Sequence, residues 1–152
     1  SLALRSGILF KIVPMVNVDG VVNGNYRFSA AGFDLNRKWK QCSEKLHPEI
    51  YQLKELINKL QQEKEVIMFI DLHGHSRQKN VFFYGCCPKE QAQTNTKPKE
   101  FPFLMSKIHP PFRYDFCSYA VQKDKEGTGR ICMWKQLKID YVYTMEASFC
   151  SS

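Results

Sequence analysis

Two histidines follow an apolar run and could bind a metal ion there. The segment 66–72 is apolar except for Asp71, and His73 and His75 come next, with one glycine between them. Neutral imidazole is a good ligand for first-row metals, and open α/β sheets bind ligands at the carboxyl ends of their strands. The glycine predicts a sharp turn that would place both imidazoles over this crevice. The alternative interpretation is a pair of surface histidines in a turn.

A carboxylate ends a second apolar run. Glu146 closes the segment Tyr141–Glu146, which is predicted to be a strand. A carboxylate in such a place either pairs with a charge or has a raised pKa suited to general base catalysis. A glutamate that faces water at the end of a strand would do neither. Glu146 is therefore a candidate catalytic base.

Several arginines could bind a carboxylate. Arg37 follows Asn36 directly, and Arg27 and Arg130 are further candidates. Arginine is the side chain best suited to bidentate carboxylate binding, although a surface arginine is the default interpretation of each one. A histidine ligand, a carboxylate base and arginines together suit metal-assisted hydrolysis of a substrate that carries a free carboxylate.

The elements that would position these residues alternate between strands and helices. A helix is predicted from about Leu46, with Pro48 in its first turn and apolar residues at three- and four-residue spacings. The pattern predicts an α/β fold with a mixed, partly parallel sheet flanked by helices. The predicted strands are 7–17, 66–72, 80–84 and 141–146, the second helix is 101–109, and the predicted loops are 89–100 and 123–130.

The composition is that of a globular protein and excludes several classes. The chain has 152 residues and a net charge of +7, which predicts a solvated basic surface or attraction to an acidic partner. It has no nucleic-acid motif, and no apolar run approaches the roughly 20 residues that cross a membrane. Six cysteines without a Cys-x-x-Cys motif predict reduced thiols and a cytoplasmic or nuclear location.

Five segments resemble the metallocarboxypeptidases of the carboxypeptidase A superfamily. Their nearest match is the branch of cytosolic carboxypeptidases, which remove glutamates from tubulin and other proteins. The matches occur in the family's order and run nearly from end to end. They are Val13–Gly20, Gly24–Arg27, Asp34–Trp39, Asp71–Ser76 and Tyr143–Cys150.

The resemblance implies a zinc ion and a role for each matching residue. His73 would be the third zinc ligand, Glu146 the general base that activates the attacking water, and Arg27 the group that polarises the scissile carbonyl. Asp34 would accept a hydrogen bond from a zinc-binding histidine.

The resemblance also implies how a substrate would be bound. Asn36 and Arg37 would hold its terminal carboxylate, and Arg130 would recognise an acidic side chain. The implied partners are acidic or polyglutamylated protein C-termini such as those of tubulin, and the implied location is the cytoplasm.

The sequence departs from the family's pattern in three places. Val18 stands where the family usually has proline, and the family's mobile tyrosine has no clear counterpart, with Tyr114 and Tyr119 as candidates. The family's first two zinc ligands come from a His-x-x-Glu motif, which no histidine of this chain forms. Catalytic zinc usually has three protein ligands. We therefore expect residues 1–152 to be the C-terminal part of one catalytic domain, inactive alone.

Two other functions fit the same residues. The segment Asp71–Ser76 also resembles the opening metal motif of phosphoesterases of the polymerase-and-histidinol-phosphatase type, although that motif should stand early in its domain. A non-catalytic module could bind acidic tails through Arg27, Arg37 and Arg130. The presence of Glu146 argues against a module, because binding alone needs no base.

Overall fold

The computed structural model describes residues 7–149, which form a four-stranded sheet with helices on both faces. The strands are β1 (Met68–His75), β2 (Val81–Cys87), β3 (Ser118–Ala120) and β4 (Tyr141–Ser148). The α-helices are α1 (Val18–Val22), α2 (Pro48–Glu63), α3 (Lys97–Ile108) and α4 (Gly129–Leu137). Short 3-10 turns occupy Leu35–Arg37, Lys89–Gln91, Tyr114–Phe116 and Lys123–Lys125.

The sheet is mixed, as the sequence predicts. Its strand order is β1-β4-β2-β3, with β4 between the two strands that precede it in the chain. β1 pairs with β4 in parallel, β4 pairs with β2 antiparallel, and β2 pairs with β3 in parallel. The prediction of a mixed, partly parallel sheet flanked by helices is therefore confirmed.

Two apolar clusters hold the helices against the sheet. On one face, Val142 of β4 packs with Ile50 of α2, Met133 of α4 and the buried Trp39. On the other face, Phe83 stacks on Tyr143 at 5.2 Å between ring centroids and on Phe101 of α3 at 5.8 Å. Because alternate residues of a strand point to opposite faces, both sides of β4 are buried.

Helix α2 begins where the sequence predicts. Pro48 occupies its first turn, and Ile50 and Ile57 bury one side of the helix. His47 precedes it, and its Nδ1 accepts a hydrogen bond from the Ser43 backbone N–H at 3.1 Å. The proline fits because its missing N–H would have had no partner in the helix.

The predicted buried strand at 7–17 is wrong. This stretch is irregular and its apolar side chains are exposed, Phe10 by 65% and Ile12 by 80%. A strand needs a neighbour to satisfy its backbone groups, and within residues 7–149 only β4 pairs with β1. Val16 is the exception and packs, partly buried, against the core, but residues 9–15 stay exposed in the described part of the chain.

The predicted turn at Gly74 is also wrong. β1 continues through His75, so both histidines lie in the strand itself. A side chain at position 74 would overlap the ring of Phe149. Glycine is therefore needed here because Phe149 packs closely against β1, and not because the chain changes direction.

Two helices begin within the predicted polar loops. α3 begins at Lys97, inside the predicted loop 89–100, and α4 begins at Gly129, inside the predicted loop 123–130. Arg130 consequently lies in the first turn of α4. None of the helices within residues 7–149 is long and apolar enough to cross a membrane.

Candidate active site

The register of β1 and β4 places His73 beside Glu146. The two residues are direct partners across the parallel pair, so their Cα atoms are about 5 Å apart and their side chains share one face. Both lie near the carboxyl ends of parallel strands, where α/β sheets bind ligands. The sheet thus brings together two residues that are 73 positions apart in the sequence.

Asp71 orients the imidazole of His73. Its Oδ2 lies 2.8 Å from Nε2 of His73. An Nε2 proton directed at this carboxylate leaves the Nδ1 lone pair for a metal ion, an arrangement common among metal-binding histidines. Neither the sequence pattern nor the resemblance implies a role for Asp71. The spacing of two residues within one strand, which places both side chains on the same face, was the available signal.

The two central groups both have raised pKa values. Burial by itself would lower the pKa of His73, but its hydrogen bond to Asp71 and the negative charges of Asp71 and Glu146 outweigh burial and raise it. Burial raises the pKa of Glu146, against the opposing charges of His73, His75 and Arg27. A carboxylate whose pKa is raised in this way is better matched to proton transfer near neutral pH.

Arg27 and Asp34 form an ion pair at the edge of this site. Nε of Arg27 donates to Oδ2 of Asp34 at 2.8 Å, and Oδ1 of Asp34 accepts from the Asn36 backbone N–H at 3.0 Å. The charge of Arg27 opposes the rise in the pKa values of both Glu146 and His73. The predicted histidine partner of Asp34 is not among the contacts of residues 7–149.

Asn36 connects the site to helix α4. Its Oδ1 accepts from the Gly129 backbone N–H at 2.9 Å, and its Nδ2 lies 3.3 Å from Nε2 of His73. Arg37 follows, with Nη1 donating to the Asn36 carbonyl at 3.0 Å. Asn36 and Arg37 therefore lie together in the 34–39 loop, and Asn36 contacts His73.

Arg130 is buried, with 7% of its surface exposed. Its Nη1 donates to the Gly85 carbonyl of β2 and lies 3.5 Å from Sγ of Cys86. Its guanidinium carbon lies 5.9 Å from the centre of the Tyr84 ring. Arg130 is thus a buried arginine that faces β2, rather than the loop residue that the sequence indicated.

Tyr84 is a further site residue that sequence reasoning missed. Burial and the charge of Glu146 raise its pKa, while the charge of Arg130 opposes them. The phenol is therefore within electrostatic reach of both the candidate base and Arg130. It shares a sheet face with Glu146, because its β4 partner is Thr144, two residues before Glu146. Nothing in the sequence around Tyr84 distinguishes it from an ordinary strand tyrosine.

The remaining candidate residues contact backbone groups or aromatic rings. His75 accepts from the backbone N–H groups of Arg77 and Gln78 through Nδ1, and its ring packs on Phe82. The ring of Tyr119 lies against Gly85, and Tyr114 packs edge-on against Phe103. The cysteines within residues 7–149 are all free thiols, as predicted.

The residues present fit one part of a zinc site. His73, oriented by Asp71, has the chemistry of a zinc ligand. Residues 7–149 contain no group of three His, Cys, Asp or Glu side chains placed to hold a metal ion. The described residues thus contain one candidate ligand, a carboxylate hydrogen-bonded to it and a candidate base.

Sequence comparisons relate the chain to zinc carboxypeptidases. The profile of a family described as zinc carboxypeptidase matches residues 3–152. Cytosolic carboxypeptidase 2 of Xenopus tropicalis is 48% identical over 98% of the chain, and cytosolic carboxypeptidase 3 of Mus musculus is 44% identical over 98%. Cytosolic carboxypeptidase 1 of Homo sapiens is 44% identical over 97%. The chain spans only 13–15% of the length of these relatives.

Solved structures of metallo-carboxypeptidases share this fold. A metallo-carboxypeptidase from Burkholderia cenocepacia superposes with a TM-score of 0.76 and 27% identity, over 91% of this chain and 35% of that one. A metallo-carboxypeptidase from Pseudomonas aeruginosa, solved in complex with (2-guanidinoethylmercapto)succinic acid, gives a TM-score of 0.70 and 25% identity, over 90% of this chain and 36% of that one. A family profile that matches nearly every residue, relatives above 40% identity and a shared fold lead to one conclusion: this chain belongs to the zinc carboxypeptidase family.

Proposed function

We propose that the intact protein is a zinc metallocarboxypeptidase that removes C-terminal residues from acidic protein tails. One observation carries the proposal: Glu146, with a raised pKa, lies directly beside His73, whose imidazole is oriented by Asp71. A histidine ligand adjacent to a carboxylate base is the arrangement that metal-assisted hydrolysis requires. Family membership favours this reaction over the phosphoesterase alternative.

In the proposed reaction each residue has a separate task. Bound zinc, with His73 among its ligands, supplies Lewis acidity. Glu146 takes a proton from the attacking water and later returns it to the leaving amine. Arg27, held by Asp34, stabilises the negative charge that develops on the scissile carbonyl oxygen. Asn36 and Arg37 bind the terminal carboxylate and so restrict cleavage to the chain end.

We also propose that residues 1–152 are the C-terminal part of one catalytic domain. The chain covers 35–36% of the structures it resembles and lacks the His-x-x-Glu motif. It exposes the apolar side chains of residues 9–15, and the β1 edge of its sheet pairs with no described strand other than β4. An additional strand from the same domain would cover these groups. Asp34 would then accept a hydrogen bond from a histidine in the additional part of the domain.

Zinc binding by the isolated chain tests this division. Residues 1–152 alone are expected to bind zinc weakly, with an affinity far below that of the intact protein, because one histidine cannot form a closed site. Equilibrium dialysis of both forms against zinc measures the difference. Tight binding of one zinc ion per isolated chain would contradict the proposed division of the site.

The proposed substrate is a C-terminal glutamate, as in polyglutamylated tails such as those of tubulin. Arg130 supports this, because its guanidinium lies near Tyr84, which shares a sheet face with Glu146. Only Nη1 forms hydrogen bonds to other described residues, and a guanidinium has further N–H donors to offer a substrate carboxylate. The net charge of +7 would attract acidic tails. We propose a cytoplasmic location on the names of the relatives.

Release of single residues tests the proposed activity. The intact protein is incubated with two peptides of matched sequence, one ending in glutamate and one in leucine, with and without a zinc chelator. We expect release of glutamate, slower release of leucine, and loss of both with the chelator. Glutamate release that survives complete zinc removal would rule out the mechanism. Binding of the peptides without any cleavage would instead favour the non-catalytic module.

A further inference from the structure

The 34–39 loop is held by a turn that contains two glycines. The backbone N–H of Gly129 donates to Oδ1 of Asn36 at 2.9 Å, and the carbonyl of Gly127 accepts from the Trp39 N–H at 3.1 Å. These bonds join segments about 90 residues apart. Both ends of the Asn36–Trp39 stretch are therefore attached to one short turn.

The approach is too close for a side chain at either glycine. A Cβ at Gly127 would overlap the carbonyl oxygen of Arg37 and lie 3.0 Å from its carbonyl carbon. A Cβ at Gly129 would lie 2.8 Å from Cε2 of the Trp39 indole. Neither glycine has a positive φ. Proximity to the loop, and not the backbone conformation of the turn, thus requires glycine here.

Further contacts fix the turn and the loop. Glu126, directly before Gly127, accepts from Lys40 at 3.0 Å and from Lys135 of α4 at 2.9 Å. Lys54 of α2 donates to the Trp39 carbonyl at 2.9 Å. Because Trp39 is itself buried, the loop has little freedom to move away from an added methyl group.

We infer that Gly127 and Gly129 are positioning residues, which fix Asn36 and Arg37 where the terminal carboxylate of a substrate binds. The inference rests on the proposed function. It adds that the accuracy of carboxylate binding is set by a turn that does not touch the substrate. A displacement of the Arg37 backbone would misplace the hydrogen-bond donors that the carboxylate needs.

Kinetics of the intact protein test the inference. Gly127→Ala is expected to raise KM for a peptide ending in glutamate by about tenfold, with a smaller change in kcat, because charged hydrogen bonds to the carboxylate are weakened. Gly129→Ala should act in the same direction. Gln62→Ala, at an exposed position of α2, is the control. The unfolding temperature of each variant is measured alongside.

A double-mutant cycle separates positioning from general stability. In an Arg37→Ala background, Gly127→Ala should raise KM much less than it does alone, because the group that it positions is already absent. Additive effects on KM would overturn the inference, as would unchanged KM in both glycine variants or failure of both variants to fold. If the unmodified protein releases no C-terminal residue at all, the proposed function fails instead, which is a distinguishable result.

Discussion

Replacing Glu146 with glutamine in the intact protein is expected to lower kcat by about 10²–10⁴-fold, the usual contribution of a general base. Glutamine keeps the size and polarity of the side chain but cannot accept a proton. Zinc content and KM should change little, since neither the imidazole of His73 nor the 34–39 loop depends on this carboxylate for its hydrogen bonds. Release of glutamate from a peptide, followed over time, measures the loss.

The control for this substitution is Glu65→Gln, a change of the same type at an exposed position. It should leave kcat unchanged. Full turnover by the Glu146→Gln protein would remove Glu146 from the mechanism. Binding of acidic tails should survive in this variant, and a pull-down with an uncleaved peptide measures it. The same experiment distinguishes the enzyme from a tail-binding module, because a module would show no turnover before the substitution either.

Replacing Arg130 with alanine is expected to reduce the preference for glutamate over leucine at the C-terminus by about 10- to 100-fold. This is the contribution of one or two hydrogen bonds to a charged group. The change in kcat/KM should come almost entirely from the acidic peptide. Competition between the two peptides in one reaction measures the ratio directly.

Arg130 also has a structural role, which the experiment must separate from specificity. The alanine variant leaves the buried Gly85 carbonyl without its Nη1 donor, which costs about 1–3 kcal/mol of stability. Arg130→Lys keeps the charge and is expected to fold with a smaller loss of preference. Arg77→Ala, at an exposed position, is the control. If both Arg130 variants kept the original preference, the proposed role of Arg130 in specificity would be excluded.

The site was largely predictable from the sequence because its residues stand in short, ordered segments. His73 and Glu146 end apolar runs, and the structure brings them together as strand partners. Asn36 contacts His73, and Arg37 follows it in the same loop. The proposed roles of these residues in catalysis and binding stay predictions until they are measured.

Other features depend on contacts that no local pattern reveals. Helix α4 begins directly after a charged, glycine-containing stretch, and the sequence therefore predicts a loop where the helix starts. The exposed segment 8–15 has the apolar pattern of a strand, but in the described residues no neighbour completes it. The sequence predicts a turn at Gly74 and a loop at Gly127. Glycine is instead required at each position because another segment packs against it too closely for a side chain.

The order of strands in the sheet has a consequence for how the site arises during synthesis. β4 follows the other described strands in the sequence, yet it lies between β1 and β2. Its side chains alternate between the two faces, so a shift of one residue against β1 would turn Glu146 away from His73. A ribosome-bound chain therefore cannot place Glu146 beside His73 until β4 has emerged and inserted in the correct alignment. Chains truncated before β4 carry His73 but lack Glu146, so under the proposed mechanism products of premature termination would have no general base.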